Sequence, residues 1–199
     1  MDALPVMEAF YTLQGEGFHQ GKAAVFIRLA GCDVGCHWCD VKESWDVKGY
    51  PVIPVKDLVE QVRHYESDIA VITGGEPLMH DLGPLTRELK TAGFKTHIET
   101  SGAHPLSGDW DWICLSPKKI KQALSPIYHL ADELKIIIYN KSDLQWANSH
   151  KERINSACKL YLQPEWERSD KVLPLMIDYV KKHPEWEVSL QIHKFMDIP

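Results

Sequence analysis

With 199 residues, 44% of them hydrophobic, the chain carries enough apolar material for one sizeable core. A formal net charge of −6 gives no general attraction for nucleic acid, and no apolar run reaches membrane-spanning length, so neither a nucleic-acid nor a membrane partner is expected. Five cysteines, with no signal-peptide pattern before Ala3-Leu4-Pro5-Val6, argue against a small secreted disulfide framework and for the reducing cytoplasm.

In chain order, Ala23 to Leu29 reads as a strand running into a cysteine-rich loop. Val55, Leu58, Val59 and Val62 share one helical face. Ile69 to Thr73 is a buried strand that leads straight into Gly74-Gly75-Glu76-Pro77. Leu85, Leu89 and Ala92 mark a helix stopped by Gly93. Strands follow at Thr96–Glu99, Trp112–Leu115, Leu134–Tyr139 and Lys159–Leu162. Between them, Lys118-Lys119-Ile120-Lys121 reads as solvated surface. Leu173, Ile177 and Val180 suggest a late helix, and Val188 to Ile192 a last strand. This order predicts an α/β fold of βα units around a mostly parallel sheet. A closed eight-fold barrel takes roughly 250 residues, so a partial barrel of about six strands is expected, as one domain over residues 1–199. The glycine and polar signals cluster where strands end, the face that carries chemistry in such folds.

The run Gly31-Cys32-Asp33-Val34-Gly35-Cys36-His37-Trp38-Cys39-Asp40 is the most informative. Three thiolates can hold three irons of a four-iron cubane and leave the fourth open to a small molecule. A structural zinc site wants four ligands, and His37, lying between two of the cysteines, has poor reach to be the fourth. Cys114 and Cys158 lie in apolar strand-like runs and read as small core residues.

The spacing of Cys32, Cys36 and Cys39, followed downstream by Gly74-Gly75-Glu76-Pro77 after a strand, resembles the radical S-adenosylmethionine (SAM) superfamily. The resemblance implies a 4Fe-4S cluster on the three cysteines and SAM on its open iron. It implies SAM contacts from Gly74, Gly75 and Glu76, from the segment Glu99-Thr100-Ser101-Gly102, from Ser116-Pro117-Lys118 and from Gln163-Pro164-Glu165-Trp166. On their own these last runs are ordinary strand-to-loop turns.

Phe10-Tyr11-Thr12-Leu13-Gln14-Gly15-Glu16-Gly17, the stretch Ala24 to Cys32, and the tail Leu190-Gln191-Ile192-His193-Lys194 through Pro199 together resemble the 7-carboxy-7-deazaguanine synthase family. That implies a lyase of queuosine and 7-deazapurine biosynthesis, acting on 6-carboxy-5,6,7,8-tetrahydropterin by hydrogen abstraction at C6 and ring contraction. A pterin has an edge of N–H donors. Glu16 and a carboxylate at Pro199 can accept them, Gln14 can donate and accept, and Arg28 suits oxygen acceptors. By resemblance the substrate pocket comprises Leu13, Gln14, Gly15, Glu16, Arg28, Thr73, His193 and Pro199, so that the N- and C-terminal segments complete it. The family pattern places a Thr ligand for Mg2+ two residues past the last cysteine; here Val41 stands there, without a side-chain oxygen, and Asp40 is the nearest carboxylate. The need for Mg2+ is left open. The resemblance further implies a flavodoxin- or ferredoxin-type reductant and a homodimer. Two other readings compete: a glycyl-radical activase with the same cysteine spacing, and a non-enzymatic zinc-binding module.

Overall fold

Side chains alternate across a strand, so each strand of a layered fold must choose which set it buries. In the computed structural model, which describes residues 2–199, that choice separates a helix-covered core from a polar interior. Strand β1 is Ala3–Leu13 and β2 is Ala23–Leu29; β2 buries Val25, Ile27 and Leu29 and turns Phe26 and Arg28 toward a cavity. After β3 (Val52–Pro54) and helix α1 (Val55–Val62) comes β4 (Ile69–Gly74), then α2 (Gly83–Thr91), β5 (Lys95–Thr100) and β6 (Trp112–Leu115). Then follow α3 (Ser125–Leu130), β7 (Glu133–Ile138), α4 (Ser142–Lys151), β8 (Lys159–Pro164), α5 (Ser169–Val180), β9 (Trp186–Val188) and α6 (Ile192–Met196). Ile98, Leu115, Leu134, Ile136 and Leu162 join Leu58, Leu85 and Leu89 of the helices in one core. Burying each such side chain is worth about 1.5–3 kcal/mol, which fixes the strands firmly enough to aim the opposite face. That face presents Glu99, Lys135, Ile137 and Gln163 to the interior.

The sheet order is β3-β1-β2-β4-β5-β6-β7-β8-β9. From β2 to β9 all neighbours are parallel, and β1 is antiparallel to both β2 and β3. With β3 and β9 as edges the sheet does not close, which is the partial barrel expected. Six strands, β2 and β4 to β8, match the expected ranges to within two residues. β1 was not anticipated: its pairing slips between Val6 and Glu8 and most of its residues are half-buried, so it shows no clean alternation.

Three expectations are corrected. Ala92 is exposed, as the cap of α2 rather than part of its buried face. Helix α5 buries Val172 and Met176, while Ile177 is exposed; both stripes obey the helical period, and the seat of α5 on β8 and β9 selects between them. The last strand ends at Val188 instead of running to Ile192. The chain makes one more ladder contact, Ser189 N to Leu162 O at 2.8 Å, then turns inward, where the N–H of Ile192 donates to Gly15 O at 3.0 Å.

The turn between β1 and β2 folds back under the interior. Its Gly17 N–H donates to Ser189 Oγ (2.9 Å) and its Phe18 N–H to Glu133 Oε2 (3.2 Å). Phe18 stacks on Trp112 with ring centroids 5.0 Å apart. Gln14 and Glu16 are thereby held below the strand ends that carry the cysteine loop.

Candidate active site

The cysteine loop leaves β2 after Leu29 and is pinned by two backbone bonds, Gly31 N to Ser44 O (2.7 Å) and Cys32 N to Trp45 O (3.2 Å). Cys32, Cys36 and Cys39 line one cavity of about 250 Å³ together with Gly74, Gly75 and Glu76. A Cβ on Gly75 would lie 2.1 Å from Gly31 O and 2.9 Å from the Cβ of Cys32. The end of β4 therefore rests on the cysteine loop, and only a residue without a side chain permits it. The Glu76 carboxylate is enclosed by protein donors: Thr100 Oγ1 (2.5 Å), Ser101 N (2.8 Å), Leu78 N (3.1 Å) and the Ser101 hydroxyl. It welds β4 to β5, and what its segment offers a ligand is backbone.

Burial pushes the Cys32 and Cys36 thiols up in pKa, with Lys118 opposing the shift at Cys36. Loading iron on them would release protons. Three thiols on one wall, facing a side-chain-free stretch of backbone, fit a cubane cluster with an open iron. Among the described residues no three His, Cys, Asp or Glu side chains converge on a single metal ion, and His37 is exposed.

Ser116, Lys118, Gln163, Pro164, Glu165 and Trp166 line the same cavity, joined by Thr100 and Ser101 of the segment expected after β5 and by Trp38, which sequence reasoning passed over as a site residue. Pro117 does not. Lys118 Nζ donates to both Ser116 O and Ser116 Oγ at 2.6 Å, which turns the lysine inward and leaves Pro117 on a neighbouring cleft with Tyr139 and Trp146. Glu165 accepts from Glu167 N through Oε1 (3.2 Å), but its buried Oε2 has no partner among the described residues. A buried carboxylate oxygen left so is costly unless a ligand donor meets it, and SAM brings several N–H and O–H groups.

A second cavity, about 360 Å³, is lined by all eight residues expected around the pterin: Leu13, Gln14, Gly15, Glu16, Arg28, Thr73, His193 and Pro199. Gly15 leaves room for the tail, since a Cβ there would sit 2.1 Å from His193 Nδ1. Gln14 Nε2 donates to Glu99 Oε1 (3.3 Å), and Gln14 Oε1 accepts from the Glu16 N–H (3.1 Å). Arg28 is tied through Nε to Glu8 at 2.6 Å. Burial lowers the pKa of His193, against the pull of Glu16, and favours its neutral ring.

The two cavities meet. Glu16, Asp40, Val41, Glu99 and Gln191 line both. Lys135, which sequence reasoning missed, sits beneath this seam and donates to Glu16 Oε2 (2.6 Å) and Glu99 Oε2 (2.8 Å). Gln191, also missed, donates to Glu16 Oε1 (2.9 Å) and Asp40 Oδ2 (3.1 Å). Burial alone would raise the Glu16 pKa; the Lys135 charge and the bonds from Lys135 and Gln191 outweigh it and bring it down to about 2. Burial likewise works against the Lys135 ammonium, but the surrounding acidic groups, Cys114, Glu16, Glu99 and Glu133, hold its pKa well above the usual value. A signal for Lys135 existed. In Glu133-Leu134-Lys135-Ile136-Ile137-Ile138 it shares a strand face with Glu133 and Ile137, opposite the core set Leu134, Ile136 and Ile138.

Residues 26–118 match the model of the radical SAM superfamily. The chain is 51% identical to the 7-carboxy-7-deazaguanine synthase of Flavobacterium psychrophilum over 198 residues, covering 100% of this chain and 94% of that protein. It is 47% identical to the enzyme of that name from Synechocystis, covering 98% and 93% of the two chains. The crystal structure of QueE from Escherichia coli superposes with a TM-score of 0.85 at 32% identity, over 94% of this chain and 93% of that one. With relatives of this identity spanning nearly the whole length, the chain belongs to the 7-carboxy-7-deazaguanine synthase family of radical SAM enzymes.

Proposed function

We propose that this chain converts 6-carboxy-5,6,7,8-tetrahydropterin to 7-carboxy-7-deazaguanine with loss of ammonia, serving the biosynthesis of queuosine and other 7-deazapurines. The observation that carries the reading is the seam: a cavity walled by three thiols opens onto a second one walled by carboxylate and amide groups, through five shared residues. Cys32, Cys36 and Cys39 would hold a 4Fe-4S cluster with SAM on its open iron, and when bound this pair supplies a 5′-deoxyadenosyl radical able to take hydrogen from C6 of the pterin.

The chain's own residues bind and orient. Glu16, kept ionised by Lys135, accepts N–H groups from the aminopyrimidine edge, and Gln14 supplies both an acceptor and a donor. Neutral His193 and Thr73 add ring and hydroxyl contacts. Glu99, Ser116, Lys118, Gln163, Glu165 and Trp166, with the backbone of Gly74, Gly75 and Glu76, hold SAM against the seam. The buried Glu165 oxygen without a partner supports that role for its segment. The chain works as one domain whose two terminal segments complete the pterin pocket, in the cytoplasm, as a homodimer, taking electrons from a flavodoxin- or ferredoxin-type protein. Among the described residues no helix is long and apolar enough to cross a membrane.

Mg2+ does not fit the residues present. Val41 offers no side-chain oxygen, and Oδ2 of the Asp40 carboxylate is engaged by Lys194 (2.7 Å) and Gln191 (3.1 Å).

The test is anaerobic incubation of cluster-loaded protein with SAM, dithionite and the tetrahydropterin, read by mass detection of the deazaguanine acid. Intact SAM cleavage without that product would overturn the substrate and keep the chemistry.

A further inference from the structure

The proposed reaction constrains where one charge must go, and the following rests on that reading. The pterin carbon to be attacked, C6, carries the substrate's carboxylate. C6 must lie where the two cavities meet, so its carboxylate must lie at the seam as well. The seam residues Glu16, Asp40 and Glu99 are all acidic, which would repel it.

One cation is fixed at the seam's Asp40 side. Lys194 lines the pterin cavity, and its Nζ donates to Asp40 Oδ2 at 2.7 Å. It also lies 4.7 Å from the centre of the Trp166 ring, a residue of the thiol-lined cavity. Its side chain is 22% exposed, so the charge is partly shielded from solvent. Asp40 accepts one of its three N–H groups, leaving donors for the cavity. Of the other cations nearby, Arg28 lines the pterin cavity but not the thiol-lined one, with its Nε on Glu8, and Lys135 is shared between Glu16 and Glu99. We propose that the Lys194 ammonium, held by Asp40 and Trp166, binds the pterin carboxylate and supplies the positive charge at this point, so that the enzyme needs no divalent cation. Placing a metal ion at Asp40 would bring two like charges together, and Val41 adds no side-chain oxygen to offset the cost.

The experiment uses the cluster-loaded, full-length enzyme. In the wild type, pterin turnover is the same in EDTA as with added Mg2+. Mn2+, used as a paramagnetic probe in the presence of SAM, shows no bound signal by electron paramagnetic resonance. Lys194→Met raises the KM for the pterin by about ten- to hundred-fold, the loss expected for a charge-assisted bond, while uncoupled SAM cleavage is kept. Lys194→Arg retains most of the affinity because it retains the charge. Val41→Thr combined with Lys194→Met gains bound Mn2+ and recovers turnover with Mg2+. Wild-type enzyme that binds one Mn2+, or that is stimulated strongly by Mg2+, overturns the proposal, as does an unchanged KM in Lys194→Met. Should the wild type fail to turn over the pterin at all, the proposed function falls, and the Mn2+ titration with SAM alone still decides whether Asp40 is a metal site.

Discussion

The ammonium of Lys135 donates to Glu16 at 2.6 Å, joining the strand β7 to a turn 119 residues earlier in the chain. Lys135 is buried, with 5% of its side chain exposed, and Glu99 shares it at 2.8 Å. One lysine thus bridges two carboxylates on a wall that both cavities use and holds the pKa of Glu16 down.

Removing it strands those charges. Lys135→Met should lower stability to denaturant by about 3–5 kcal/mol, the cost of breaking a buried pair from one side. Adding Glu16→Gln to that variant should restore part of the loss. An unaltered midpoint in the single variant would show that the pair is solvated rather than buried.

The same pair sets an acid limit. The folded-state pKa of Glu16, about 2, lies below the usual 4.5. Its contribution to stability is therefore complete above the unfolded value and fades as pH falls from there toward 2. Glu16→Gln should cost stability at neutral pH, and the gap from wild type should narrow through that acid window. A gap that widens on acidification would contradict the assignment.

For the pterin, Glu16→Gln should weaken binding by roughly ten- to hundred-fold, since a charge-assisted bond is lost and a substrate donor can be left unpaired. Calorimetry with SAM should change far less. Equal pterin affinity in the two proteins would remove Glu16 from the substrate site.

At the cluster loop, Cys36→Ala should abolish turnover and impair iron incorporation, because two thiolates cannot hold a cubane with one open iron securely. Full iron content with normal SAM cleavage would sink its role as a ligand.

Gly75→Ala is expected to act on the same loop without touching a thiol. Its Cβ would meet Gly31 O at 2.1 Å, a backbone atom that can yield only if the loop shifts. Iron content after anaerobic reconstitution should fall while the far-ultraviolet dichroism stays unchanged. Normal iron loading would mean the loop tolerates the shift.

Local physics made part of this molecule legible. The parallel strands β2 and β4 to β8 are apolar runs bounded by turn residues, because parallel strands under helices are buried along much of their length. The face of α1 could be read from spacing alone, since Val55, Leu58, Val59 and Val62 are all buried. The thiol set was legible for a similar reason: Cys32, Cys36 and Cys39 are neighbours in sequence, so one short loop brings them together. The residues proposed for the pterin, around Gln14, Glu16 and His193, were reached through family resemblance, not through any local pattern.

What tertiary structure decided involves partners far apart in the chain. Helix α5 had two equally periodic stripes, and only its seat on β8 and β9 chose Val172 and Met176 over Leu173 and Ile177. The tail could have continued the sheet, but Ile192 found Gly15 and turned inward, bringing Gln191 to Glu16 and Asp40. Lys135 needed both the strand alternation and the tucked turn of β1 and β2 before it acquired a partner. A sequence determines propensities over a few residues; a charge buried between elements is set by which surfaces exclude water together, and that exists only once the sheet has assembled.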